Sequence, residues 1–327
     1  MSVFGPEFDS RRLHFQKFYR TTKRVLSFGS HEVAVTRPLV IFFATIKFTM
    51  LTADQHMRLP TYFISHGGGP WPWLKTEMRG AYDRLEASLR ELPRELGTGP
   101  RAILAVSGHW EARDFTVMSA ARPPMLYDYS GFPEHTYRIE YSAPGSPALA
   151  GRVEELLAAS GLEVRADDTR GFDHGVFAPL AVLYPQADVP VVQLSIRTDY
   201  DPEAHLAAGR ALAPLRAEGV LILASGLSYH NLRQFDARAR VPSREFDEWL
   251  TETVCGVEGE ERNRRLRAWR DAPSARAAHP VEDHLIPLMV AAGAAEHEAG
   301  VRVYHEDAFF GGIAVSSFRF GEQITKT

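Results

Sequence analysis

From residue 57 onward, short continuous apolar runs alternate with longer stretches in which apolar and charged positions mix at helical spacing. The runs TYFIS (61–65), AILAVSG (102–108), VPVVQLSI (189–196), VLILASG (220–226) and IAVSSFRF (313–320) have strand length, β-branched character and Gly or Pro boundaries, as strands buried on both faces do. Helices are predicted over 74–94, 147–160, 202–217 and 283–295. The second of these, PALAGRVEELLAAS, opens on a proline suited to a first helical turn and is followed by Gly161. The alternation predicts an α/β fold, a single domain with a central, largely parallel sheet flanked by helices. No internal repeat or low-complexity linker interrupts it.

Composition adds a boundary at the amino-terminal side. Residues 1–56 carry eight Lys and Arg against four Asp and Glu, whereas the whole chain of 327 residues has a net charge of −4. We therefore divide the chain into a basic extension, 1–56, and a catalytic domain, 57–327. Met57, directly before RLPTYFISHGGG, is an alternative start that would make the extension a start-site artefact. The apolar stretch LVIFFATIKFTML (39–51) is broken by Lys47 and is short of the roughly 20 residues that span a bilayer. It also lies too far from Met1 to read as a secretory signal. No membrane or nucleic-acid partner is expected from a slightly acidic chain. The single cysteine, Cys255, excludes an internal disulfide and a multi-cysteine zinc site, fits a reducing, cytoplasmic location, and reads as a buried, inert thiol. The mixed-charge stretch 258–271 reads as a solvated helix.

Histidine placement carries the chemistry. In YFISHGG, AVSGHWE and ASGLSYHNL, His66, His109 and His230 each follow an apolar strand by a few residues. In open α/β sheets that carboxyl-end rim is where ligand crevices form, so three strands aim imidazoles at one edge and a metal site is expected there. His66 is expected to be exposed on its glycine turn. His174 lies in RGFDHGVF, and His279 and His284 in HPVEDHLIPLMV, with His284 opening the last predicted helix. Neutral imidazole is the commonest transition-metal ligand, and such sites draw on segments distant in sequence. The third ligand is His284, Glu282 or Asp283, which spacing does not decide. Zinc with an activated water and Fe(II) with O₂ both suit the donor set. His14, His31, His56, His135, His205, His297 and His305 lack such contexts and read as surface or structural. HGGGP lacks the Lys-Ser/Thr of a phosphate loop, and SGLS is no serine-hydrolase elbow.

Taken in order, FISHGGGP, ILAVSGHWE, YDYSGFPEHTYRIEYSAPGSPALA, GFDHGVFAPL, VPVVQLSI, GVLILASGLSYHNLR and HPVEDHLIPLMVAAGAA resemble the class III extradiol ring-cleaving dioxygenases, within them the DOPA 4,5-dioxygenase-like group. The resemblance runs from about Leu59 to about Gly321. It implies a non-haem Fe(II) enzyme that opens a catechol ring beside its hydroxyls with O₂, in a site that zinc also occupies. Carried over by motif, His66, His109 and His284 match metal ligands. His230 matches a histidine at the metal centre, either a fourth ligand or the acid/base. His174 matches a residue facing the substrate, the second acid/base candidate after His230. Related enzymes outside the group have glutamate where His284 stands. Trp71, Trp73, Trp110, Tyr127, Tyr129 and Phe132 then become candidate walls for a small aromatic diol, with Trp71, Trp110, Tyr129 and Phe132 foremost. A zinc hydrolase using the same histidines is the alternative reading, and a metal-holding binding protein a third. The sequence carries no signal of oligomeric state, and a homodimer is compatible with it.

Overall fold

The computed structural model describes residues 58–324 apart from Arg79 and Thr98. The basic extension, its apolar stretch and the Met57 start lie outside the described residues. Eight strands form one sheet in the order β4-β3-β5-β2-β6-β1-β8-β7. They are β1 (Thr61–Ser65), β2 (Ala102–Ala112), β3 (Phe115–Met118), β4 (Val164–Asp167), β5 (Val191–Arg197), β6 (Val220–Gly226), β7 (Gly300–Phe309) and β8 (Ile313–Phe320). The central four, β5-β2-β6-β1, run parallel. β3 is antiparallel to β5, and the β7–β8 hairpin joins β1 antiparallel. All seven residues of β6 are buried, as expected of a strand covered on both faces.

Helices cover both faces: α1 (Asp83–Glu95), α2 (Pro147–Ala159), α3 (His174–Leu183), α4 (Pro202–Leu212), α5 (Arg240–Cys255), α6 (Gly259–Arg267), the single turn α7 (Ala275–Ala278) and α8 (Pro287–Ala294). Strand alternation sorts them. Thr61 donates its hydroxyl to Ala291 O in α8 at 2.8 Å, while its neighbour Tyr62 points the other way to Glu95 of α1 at 3.1 Å. The α2 start is capped as its sequence predicts: Ser146 Oγ accepts from Leu149 N–H at 3.2 Å, with Pro147 next, a cap worth about 1 kcal/mol. No helix among the described residues is long and apolar enough to cross a membrane.

The five predicted strands and the 147–160 and 202–217 helices are found close to their expected limits. Other expectations are corrected. The 74–94 helix begins only at Asp83, because 71–73 form a 3₁₀ turn and 75–78 a further turn. The last helix starts at Pro287, so His284 lies in the turn before it. Helices α3 and α5, the single turn α7 and strands β3, β4 and β7 are additions. The α3 sequence HGVFAPLAVL is apolar and buried almost all round, so it has no stripe for a periodicity argument to find. Helix α6 is not wholly solvated: Arg262 is fully buried and donates to the carbonyls of Ala295, Glu296 and Glu298 at 2.8 Å each. Cys255 is exposed rather than buried.

Candidate metal centre

The carboxyl ends of β1, β2, β5 and β6 share one rim because those strands are parallel. His66 follows β1 immediately. Its N–H donates to Gly226 O at the end of β6 (3.1 Å), and its carbonyl accepts the Trp71 indole N–H at 2.7 Å. Gly67 has φ +83°, and a Cβ there would sit 2.4 Å from Trp71 Nε1, so only glycine lets the chain turn back over that indole. The turn does not expose His66 as expected, because Trp71 and Tyr82 stack beneath it and leave the residue 2% exposed.

His109 sits in β2 where pairing with β5 breaks between Val106 and Glu111. Such a bulge re-aims side chains. Ser107 Oγ accepts from His109 N–H at 3.1 Å and donates to Asp173 at 2.9 Å. Asp173, fully buried, also accepts from Arg170 at 2.7 Å and from Gln193. Burial, reinforced by the Asp128 charge, raises its carboxyl above the ordinary range. This network fixes the start of α3, and His174 is its first residue. Two glycines clear space for the segment carrying His284. A Cβ at Gly226 would meet His284 O at 2.1 Å, and one at Gly108 would meet Asp283 O at 2.8 Å.

Five imidazoles converge as a result. The His66 ring centroid lies 4.9, 5.4 and 5.2 Å from those of His109, His174 and His284. His109 lies 4.0 Å from His174 and 4.6 Å from His284, and His230 stacks on His284 at 3.4 Å. Two carboxylates embrace the cluster. Asp128 approaches Nδ1 of His174 at 2.9 Å and Nδ1 of His109 at 3.2 Å. Asp283 approaches Nδ1 of His284 at 2.9 Å and Nδ1 of His230 at 3.5 Å. Of the alternatives for the third ligand, Glu282 turns away to Arg270 and Arg276.

The electrostatics follow. Burial lowers His66 well below an ordinary histidine, and neighbouring imidazoles add to it. Burial and His174 bring His109 down to about 3, and burial with His230 does the same for His284, each against the pull of its aspartate. Burial alone would raise Asp128, but the hydrogen bond and charge of His174, with His109, outweigh it and hold the carboxyl near 2. Asp283 is likewise held well below its usual range by His230 and His284 against burial. At neutral pH His66, His109 and His284 are thus neutral imidazoles, beside the ionised carboxylates of Asp128 and Asp283, the state a divalent cation needs.

The donor set fits a metal. Among the described residues neither ring nitrogen of the buried His66 has a hydrogen-bond partner, and such an orphan costs about 1–3 kcal/mol unless something meets it. Nε2 of His109 and Nε2 of His284 face each other at 3.0 Å. If each ring carries its proton on the Nδ1 that faces a carboxylate, the two Nε2 atoms are lone pairs, which repel unless a cation or proton lies between them. Two metal–nitrogen bonds of about 2.1 Å at 90–109° put the nitrogens about 3.0–3.4 Å apart.

The aromatic candidates divide. Trp71 is 1% exposed with its N–H on His66 O, so it supports the turn instead of forming a wall. Trp110 is also buried and lies under the Arg170 guanidinium, 4.9 Å from the ring centroid. Tyr129 stands 5.9 Å from His174 and 5.4 Å from Phe132. Its hydroxyl donates to Thr136 O at 2.6 Å, and that of Tyr127 to Ile139 O at 2.7 Å, so this wall offers ring faces. Trp73 packs on Phe177 at 5.9 Å. Asp128, Asp173, Ser107 and Gln193 were not anticipated; Asp128 stands between two of the aromatic candidates in LYDYSGFP, where the tyrosines alone drew notice.

Residues 61–321 match the family described as the catalytic LigB subunit of aromatic ring-opening dioxygenase. The chain belongs to that family and is an aromatic ring-opening dioxygenase of extradiol type, which decides against the hydrolase reading. It is 38% identical to a 4,5-DOPA dioxygenase extradiol of Beta vulgaris, over 80% of this chain and 96% of that protein. With the 4,5-DOPA dioxygenase extradiol of Escherichia coli K12 it shares 34% identity, over 81% and 95%. With the dioxygenase tasH of Hapsidospora irregularis it shares 36%, over 80% and 85%. The crystal structure of uncharacterized protein JW3007 from Escherichia coli K12 is similar, with TM-score 0.62 and 30% identity over 81% of this chain and all of that one.

Proposed function

We propose that the protein is a non-haem Fe(II)-dependent extradiol dioxygenase that opens a small catechol with O₂, with the metal held by His66, His109 and His284. The observation that carries this reading is the meeting of buried, neutral imidazoles in which both His66 nitrogens lack a partner. Fe(II) bound there would supply the redox chemistry that joins O₂ to an electron-rich diol, and Zn(II) is the expected competitor for the site. His284, a histidine where relatives outside the group have glutamate, leaves the set all-nitrogen and favours that competition.

The chain's own residues do the rest. Trp71 and the Gly67 turn keep water from the protected side of His66. Tyr129 and Phe132 present ring faces against which a flat substrate is oriented. His174 takes a catechol proton at Nε2 while its Nδ1–H remains on Asp128, and returns it later in the reaction, a contribution of about 10²–10⁴-fold. It moves ahead of His230 because its carboxylate contact is 2.9 Å against 3.5 Å for His230 with Asp283. His230, stacked on His284, serves the opposite end of the cluster.

Metal analysis of single alanine variants tests these roles. His66→Ala, His109→Ala and His284→Ala should each lose bound iron. His174→Ala should keep iron and lose turnover. Retention of iron by all three ligand variants would refute the assignment.

A further inference from the structure

We propose that Asp128 is a positioning residue that sets the ring orientation and tautomer of His109 and His174 together, so that one carboxylate couples metal holding to proton transfer. The inference rests on the reading of His109 as a ligand and His174 as the acid/base. Its two oxygens are divided between the rings: Oδ2 lies 3.2 Å from Nδ1 of His109, and Oδ1 lies 2.9 Å from Nδ1 of His174. Oδ1 also accepts the backbone N–H of His174 at 2.9 Å, which ties the carboxylate to the start of α3. The side chain is 16% exposed, so water does not replace it freely.

With the proton of each ring on the Nδ1 that faces this carboxylate, both Nε2 atoms would be left as lone pairs. One of them, on His109, faces His284 Nε2; the other is the proton acceptor of His174. A neutral imidazole has one N–H, and its location decides which nitrogen can bind a metal or take a proton. Asp128 makes that choice for two residues from different elements, a strand bulge and a helix start. Asp283 approaches His284 and His230 in the same manner from the other side, but only Asp128 also holds a backbone N–H of the residue it orients. An asparagine there has one acceptor oxygen, and its amide NH₂ faces whichever N–H is left.

The test uses Co(II) as the probe, bound to the full chain, with affinity measured by competition against a chelator. Asp128→Asn and Asp128→Ala should each weaken Co(II) binding about 10–100-fold, the usual consequence of removing such a partner. At saturating Fe(II), kcat with a catechol should also fall at least tenfold while KM changes less than threefold. Imidazole nitrogen NMR of the metal-free variants should show two histidines leaving the Nδ1–H form. If one variant does not fold, the other decides. Co(II) affinity within twofold of the parent, or an unchanged tautomer pattern, overturns the proposal. Failure of the parent itself to bind Co(II) would instead overturn the reading of the histidines as ligands.

Discussion

Replacing Gly226 by alanine should damage the site without touching a histidine. The backbone at Gly226 is ordinary, so no conformational strain is involved; the obstacle is space. The added Cβ would lie 2.1 Å from the carbonyl oxygen of His284 and 3.0 Å from Phe63. Relief to an ordinary carbon–oxygen contact requires a shift of roughly 1 Å. β6 cannot supply it, because it pairs with β1 on one side and β2 on the other. The 283–286 turn therefore moves, stretching the Leu227 N–H bond to His284 O, now 3.1 Å. Overpacking of this kind costs about 1–3 kcal/mol, and a displacement of 1 Å near reacting groups costs up to about 10²-fold in rate. Urea unfolding, metal affinity and turnover with a catechol should all decline, and Gly108→Ala, with its 2.8 Å approach to Asp283 O, should decline less. Gly151→Ala is the control: it lies in α2 with nothing within 4 Å and should gain about 0.5–1 kcal/mol of stability. Parental metal affinity and turnover in Gly226→Ala would refute the claim that strand-end glycines seat His284.

Two further outcomes follow from groups behind the site. His205, fully buried, accepts the Arg197 N–H at Nε2 (3.0 Å) and places Nδ1 2.7 Å from Asp201 O; burial brings it down to about 4. The unfolded chain, with its histidine near 6.5, binds the extra proton between those values, so this contribution is complete above pH 6.5 and is lost as pH falls toward 4, by about 3 kcal/mol. Urea unfolding at pH 7.5 and 4.5 should show a drop that His205→Gln reduces; an equal drop in both proteins would count against it. Trp71→Phe removes the N–H that meets His66 O and should lower stability by about 1–3 kcal/mol and weaken metal affinity, whereas a parental melting temperature would show that the carbonyl finds another partner.

Much of this was legible in the sequence for a definite reason. Strands buried on both faces announce themselves as unbroken apolar runs, and the parallel order of β5-β2-β6-β1 puts their ends on one rim, so His66, His109 and His230 were recognisable as a group. Burial was not recognisable. The tryptophan that encloses His66 comes five residues later, and the fold of WPW over the glycine turn is a tertiary fact. Nor could spacing tell which aromatics face the site, since Trp71 and Tyr129 look alike in the chain and differ only in what their polar tips meet. The carboxylates were missed because their partners are distant: Asp128 reaches His109 and His174 from a loop, and nothing local marks it. The short strands β3 and β4 lie at one end of the sheet, β3 paired to β5 and β4 to β3, and lack a pattern of their own.

Oxygen consumption tests the central claim most directly. The protein, reconstituted with Fe(II) without air and then exposed to O₂ and a small panel of catechols, should consume one O₂ per catechol and develop the visible absorbance of a ring-opened product. Both signals should vanish in His66→Ala. Iron bound at one per chain with no oxygen uptake on any catechol of the panel would contradict the account.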